Sequence, residues 1–191
     1  MTDTPTFTER VARAAELVEK AHEGQFRKDG KTPFITHPLE VTKLVQKYIS
    51  IDDERILIAA LAHDCVEDVE DFDIDEFLQE IYGIQNAYLQ YKSRIKESVL
   101  SLTKNNTLAG RHEKDVDCYE RIYVAGTGLI KLCDRYHNVS DMNGMSDAHK
   151  IRYVAETYFM LGFFENLSNS DIYKDLLKLT EKKLTELSKN R

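Results

Sequence analysis

The stretch Ala59-Ala60-Leu61-Ala62-His63-Asp64-Cys65-Val66-Glu67-Asp68 carries an apolar helical run into a His-Asp pair and, one turn later, into a Glu-Asp pair. Four titratable groups at the mouth of a buried segment are costly unless something offsets their desolvation. A divalent metal does so, because its charge keeps the carboxylates ionised. His37, His63, Asp64 and Asp134 would supply two imidazoles and two carboxylates from three helices. That mixed nitrogen and oxygen set suits manganese, iron or zinc. Taken singly, the histidines read equally well as hydrogen-bonded core residues and Asp134 as half of an ion pair within its helix, so spacing alone leaves both readings open.

Glu67 follows His63 by four residues and Asp68 follows Asp64 by four, which puts each one turn further along the same helical face. They could orient or deprotonate a water beside a metal. The alternative is a solvated acidic continuation, since Glu70, Asp71, Asp73 and Asp75 follow, and spacing alone favours it slightly. Arg27, Lys28 and Lys31 lie in a loop from Gly24 to Phe34 with two glycines and Pro33. They form either a phosphate clamp or a set of ordinary loop cations, the second being the commoner case. Tyr153 and Tyr158 could stack on a nucleobase, although their helical spacing favours core packing. Nothing in the spacing of His22, His112, His137 or His149 compels a ligand role, and Cys65 reads as a small buried hydrophobe.

The elements that must position these groups are helices. Thr6-Phe7-Thr8-Glu9 has capping-box spacing, and Val11, Ala14, Ala15 and Val18 predict a helix to about Ala21 or His22. Pro38 at a first helical position, with Leu39, Val41, Leu44, Val45 and Tyr48, predicts the next. Asp52 or Asp53 caps a third, apolar nearly all round from Ile56 to Ala62, which marks it as the central buried helix. Asp73 starts a short helix that Gly83 ends, and a longer one runs through Val99 and Leu100. Thr103 to Lys114 reads as a loop. Leu129 to Val139 is helical with Asp134 and Asn138 on one face at i and i+4. A helix from about Asp147 to Glu165 and a last one capped by Ser168 or Ser170 complete the chain. No segment alternates as a strand and none repeats, so the expectation is an all-α fold of roughly eight to ten helices in one domain over residues 1–191.

With 191 residues, 42% hydrophobic and 31% charged, the chain can bury one sizeable core. The net charge of −7 argues against broad DNA, RNA or membrane-surface binding, so an anionic ligand must be received locally. No run approaches the roughly 18 apolar residues of a membrane span. Three scattered cysteines without a CxxC pair predict neither disulfides nor a thiolate zinc site, and point to a reducing cytoplasm.

Four ordered motifs carry a family likeness: Ala21-His22-x-Gly24-Gln25-x-Arg27-Lys28-x-Gly30, Pro33-Phe34-Ile35-x-His37-Pro38-x-x-Val41, Ala59-Ala60-Leu61-x-His63-Asp64-x-x-Glu67-Asp68 and Lys131-Leu132-x-Asp134-Arg135-x-His137-Asn138. Over about residues 7–165 the chain resembles the HD-domain hydrolase module of RelA/SpoT alarmone enzymes, in the manner of single-domain small alarmone hydrolases. The resemblance implies manganese-dependent hydrolysis of the 3′-diphosphate of ppGpp or pppGpp to GDP or GTP and pyrophosphate, other divalent metals being admissible. It places His37, His63, Asp64 and Asp134 on the metal and Glu67 and Asp68 on the attacking water. Arg27, Lys28, Asn138, Lys131 and Tyr153 fall to the nucleotide. A small alarmone synthetase toxin, countered by this chain as antitoxin, is the partner it implies. The chain departs from the pattern after Asn138, where Val139 is followed by Ser140-Asp141 rather than by an arginine. Two other functions compete with this one: the same site acting on another nucleotide such as NADPH, and a non-catalytic nucleotide-sensing or partner-binding helical module.

Overall fold

Apolar residues at helical intervals become helix along most of the chain in the computed structural model, which describes residues 7–49 and 53–189. In order, the helices are α1 (Phe7–Ala21), α2 (Thr36–Ile49), α3 (Glu54–Ala62), α4 (Cys65–Asp68), α5 (Ile74–Tyr82), α6 (Leu89–Leu102), α7 (Arg111–Ala125), α8 (Gly128–Ser140), α9 (Asp147–Phe163) and α10 (Asp171–Lys189). Single 3-10 turns at Asn86–Tyr88 and Glu165–Leu167 lead into α6 and out of α9. Among the described residues, extended pairing is limited to one antiparallel bridge between Phe26 and Pro33. The all-α expectation holds, and the ten helical segments fall in the expected range.

α3 lies at the centre because its sequence leaves it no polar side. Leu57, Ile58, Ala59, Ala60, Leu61 and Ala62 are all buried, and α3 packs against α1, α2 and α6. Burying a residue such as Leu57 or Ile58 stabilises the fold by about 1.5–3 kcal/mol. α8 is the second interior helix, with Ile130, Leu132, Cys133 and Val139 buried, and it packs on α2 and α10. α2 thus runs between the two, burying Val41 and Val45. That arrangement brings together the start of α2, the end of α3 and the middle of α8. A smaller cluster of Met142, Met145 and Val154, with Tyr153, Tyr158 and Leu187 against it, joins the segment after α8 to α9 and α10. No helix among the described residues is long and apolar enough to cross a membrane. Cys65, Cys118 and Cys133 are buried and unbridged.

Side-chain caps decide several boundaries. Asp53 accepts from the amide of Arg55 at the start of α3, while Asp52 and the Thr6 of the expected capping box lie outside the described residues. Asp73 accepts from the amides of Asp75 and Glu76, and Ser170 from that of Tyr173. Gly126 closes α7 at φ 73°, a left-handed conformation that glycine adopts without a Cβ clash. The segment expected as a loop to Lys114 ends earlier, at Gly110. There Glu113 accepts from the Gly110 amide at 3.3 Å and starts α7 at Arg111. α2 begins at Thr36, so Pro38 is its third residue, and α10 begins at Asp171, after Ser168.

Candidate metal centre

His37 is the second residue of α2, His63 follows the last residue of α3, and Asp134 is the seventh residue of α8. All three are buried, and their donor atoms lie close enough together to hold one metal ion. His37 Nε2 is 3.2 Å from His63 Nε2 and 3.3 Å from Asp134 Oδ1. Asp64, in the turn after α3, completes the set, with Oδ2 3.3 Å from His37 Nε2 and 3.2 Å from His63 Nε2. Two imidazole nitrogens and the Asp134 carboxylate facing one point, with the Asp64 carboxylate against both imidazoles, fit a divalent cation of borderline hardness.

Hydrogen bonds on the far edge of each ring fix which nitrogen faces the cluster. His63 Nδ1 donates to the carbonyl of Ala60 at 2.7 Å, an acceptor left free at the end of α3. His37 Nδ1 meets Nδ1 of His137 at 2.7 Å. Burial together with the neighbouring charge of His37 and Arg27 lowers His137 to about 4, so its ring is neutral and can accept. Asp134 is held by Lys131 Nζ at 2.8 Å through Oδ2 and by the Asn138 amide through Oδ1. Spacing had singled out Asn138 but not His137, whose partner is 100 residues away and leaves no local signal.

The electrostatics are those of a cluster that substitutes protons for a cation. Burial works against a charge on His63, and Asp64 outweighs it, holding His63 up to about 9. Burial likewise favours neutral Asp64 and Asp134, yet His63 and Lys131 respectively hold them below the usual carboxylate range. A divalent ion bound here would release the His63 proton.

The expected single helical face from His63 to Asp68 is broken. α3 stops at Ala62, His63 and Asp64 form a turn, and α4 restarts at Cys65. Glu67 and Asp68 remain beside the cluster on that short helix, both exposed. Glu67 Oε2 accepts from the Lys104 amide at 3.1 Å, so the loop after α6 reaches the site. Although Asp68 as a residue is exposed, crowding around its carboxyl desolvates it and, together with Asp64 and Glu67, pushes it up to about 6, the setting of a group that exchanges protons near neutrality. The carbonyl of Asp68 is held by Gln25 Nε2 at 3.1 Å, and Gln25 in turn accepts from buried His22 at 2.8 Å.

The loop from Gly24 to Phe34 is an ordered hairpin. The amides of Arg27 and Phe34 donate to Thr32 and Gln25, and Asp29 accepts from the Lys31 and Thr32 amides and from the Thr32 hydroxyl. Gly144 lies against it so closely that a Cβ there would sit 2.4 Å from the Lys28 carbonyl. Arg27 Nη2 donates to Asn138 Oδ1 at 2.8 Å, tying the loop to α8. Asp141, next to Ser140 where the family pattern has an arginine, lies 3.7 Å from Arg27 Nε. Lys28 Nζ stands 5.7 Å from the ring of Tyr153 and Arg135 Cζ 4.3 Å from it. Tyr158, like Tyr153, packs on the small methionine cluster. His112 rests on Phe159, 4.9 Å between ring centroids.

Comparisons with known proteins give the family and the fold. A family model described as HD domain matches residues 14–161, within the expected 7–165. The human guanosine-3′,5′-bis(diphosphate) 3′-pyrophosphohydrolase MESH1 is 28% identical over 152 residues, covering 78% of this chain and 79% of that protein. A GTP pyrophosphokinase of Myxococcus xanthus is 31% identical over 154 residues, 77% of this chain, which spans only 19% of that protein. A solved structure of a metazoan ortholog of SpoT that hydrolyzes ppGpp shares the fold with a TM-score of 0.74 at 21% identity, covering 95% of this chain and 98% of that one.

Proposed function

The chain belongs to the HD-domain family, and on that footing we propose that it is a metal-dependent hydrolase of the 3′-diphosphate of ppGpp and pppGpp, releasing pyrophosphate and GDP or GTP. The observation that carries this reading is the meeting of His37, His63 and Asp134 at one point, with Asp64 against both imidazoles and Glu67 and Asp68 on the short helix that follows it. In this reading His37, His63, Asp64 and Asp134 hold the metal, manganese being the ion of choice. Bound there, a divalent ion supplies Lewis-acid charge that lowers the pKa of water and offsets that of phosphate.

The chain's own groups do the rest. Asp68, poised near neutrality, takes a proton from the attacking water, and Glu67, fixed by the Lys104 amide, orients that water. Arg27 and Lys28 receive the diphosphate as charge-assisted donors. Asn138 spans Arg27 and Asp134 and so couples substrate to metal ligand. Lys131 adds its charge while holding Asp134, and Tyr153 offers a ring face to the nucleoside. In the reaction the bond from phosphorus to the ribose 3′ oxygen breaks, the water oxygen joins that phosphorus, and the 3′ oxygen gains a proton. The chain acts as one domain in the cytoplasm, lowering alarmone levels against a small alarmone synthetase toxin. Product analysis with ppGpp and NADPH, with manganese or with chelator, tests the substrate. Pyrophosphate from ppGpp, lost on chelation, supports it; phosphate from NADPH with ppGpp intact refutes it.

A further inference from the structure

Beside the centre lies a second set of cations that none of the four motifs explains as a set. His149, Arg152, Tyr153 and Glu156 share one face of α9 at helical spacing. Glu156 is joined by Arg111 Nη1 at 3.2 Å, from the first residue of α7, and by Arg152 Nε at 3.6 Å. Across the Tyr153 ring stand Arg135 and Lys28. Arg135 is only 6% exposed, yet its Nε and Nη1 have no hydrogen-bond partner. A buried guanidinium with unmet donors is costly to keep unless a ligand meets them. Arg111 and Arg152 share the carboxylate of Glu156 while Lys28 and Arg135 stand at the neighbouring Tyr153, four full cations gathered in a chain of net charge −7. Their mutual repulsion shows in Lys28, lowered first by burial and then by Arg27, Arg111, Arg135 and Arg152. His149 is lowered the same way, by burial and then by Lys28, Arg152 and Arg111. Repulsion of this kind destabilises the free protein and is relieved when an anion binds.

We propose that Arg111, Arg135 and Arg152, next to Lys28, form a second anion-binding wall that receives the 5′-phosphates of the guanosine nucleotide and so makes the protein sensitive to their number. This rests on the proposed function, which puts the 3′-diphosphate at the metal donors. Once that end is placed, the 5′-phosphates are the remaining anions of the ligand. Tyr153, whose phenol senses Arg135 as well as Asp134 and Asp64, joins the two regions. Arg111 and Arg152 are exposed and can follow a flexible polyphosphate, whereas Arg135 is rigidly stacked and sets the near end.

The test is calorimetric titration of the full chain, supplemented with manganese, with GMP, GDP and GTP, none of which carries a 3′-phosphate. The wall predicts affinity rising with each 5′-phosphate, by ~10-fold or more from GMP to GTP, and a flattened series in the Arg111→Gln, Arg152→Gln double variant. Both replaced side chains are on the surface, and circular dichroism melting checks that the variant folds. A flat series in the wild type, or the same rising series in the double variant, overturns the proposal. If the series rises and flattens as expected while ppGpp is left uncleaved, the wall stands and the catalytic reading is what fails. The matching kinetic result is a KM falling from pGpp to ppGpp to pppGpp in the wild type and level in the variant.

Discussion

The Nδ1 atoms of His37 and His137 lie 2.7 Å apart, on the edge of the His37 ring that faces away from the cluster. Because His137 is held to about 4 and stays neutral, it accepts the His37 proton and leaves His37 Nε2 with its lone pair toward the other donors. Partners of this kind typically change metal affinity by about 10–100-fold. His137→Ala is therefore expected to weaken manganese binding in a calorimetric titration by that factor, with part of the loss restored in His137→Asn, which offers an amide oxygen. An unchanged dissociation constant in the alanine variant would remove His137 from the account.

Asp68 carries a measurable conflict between stability and activity. Its folded pKa of about 6 lies above the ordinary carboxylate value, so folding favours its protonated form. The conflict is absent at pH below the unfolded value and fully present above about 6. Asp68→Asn should then raise the melting temperature of the metal-free protein at pH 7.5 and leave it unchanged near pH 4. After discounting for solvent the gain is on the order of 1 kcal/mol, or ~2–4 °C. The same variant should lose hydrolysis. In the wild type, kcat/KM should fall on the acid side at or below about pH 6, since a bound cation favours the ionised carboxylate.

Glu54, at the start of α3, is 5% exposed and joins Arg10 Nε at 2.8 Å to the Tyr82 hydroxyl at 3.0 Å. Removing the carboxylate takes away the acceptor that the Arg10 guanidinium and the Tyr82 hydroxyl share beside the core. Glu54→Ala should cost ~3–5 kcal/mol in urea unfolding, and Glu54→Gln less, because its amide oxygen still accepts. Equal stability of the alanine variant and wild type would show that the pair contributes nothing.

Helices whose apolar residues recur on one face were legible from the chain alone, and so was the burial of α3, because Ile56 to Ala62 leaves no polar stripe. His37, His63, Asp64 and Asp134 were legible as a set only because each interrupts an apolar helix. The break between α3 and α4 was not, since Cys65 to Asp68 continues helical spacing and the turn at His63-Asp64 reflects tertiary packing. α7 was hidden at its start because Gly110 and the two asparagines before it read as loop, while the Glu113 contact that begins the helix depends on backbone geometry. The contacts of His137 and Arg135 left no mark in the sequence for a related reason. What sets each apart is a partner on another helix, in one case His37 and in the other Tyr153.

The most direct measurement is the release of pyrophosphate from ppGpp by the purified protein with added manganese, alongside Asp64→Ala and Glu67→Ala. GDP and pyrophosphate are expected in equal amounts from the wild type, with activity abolished by chelator and restored by manganese, and at least ~100-fold lower turnover in each variant. Intact ppGpp with wild-type protein and manganese, or variants that turn over at the wild-type rate, would contradict it.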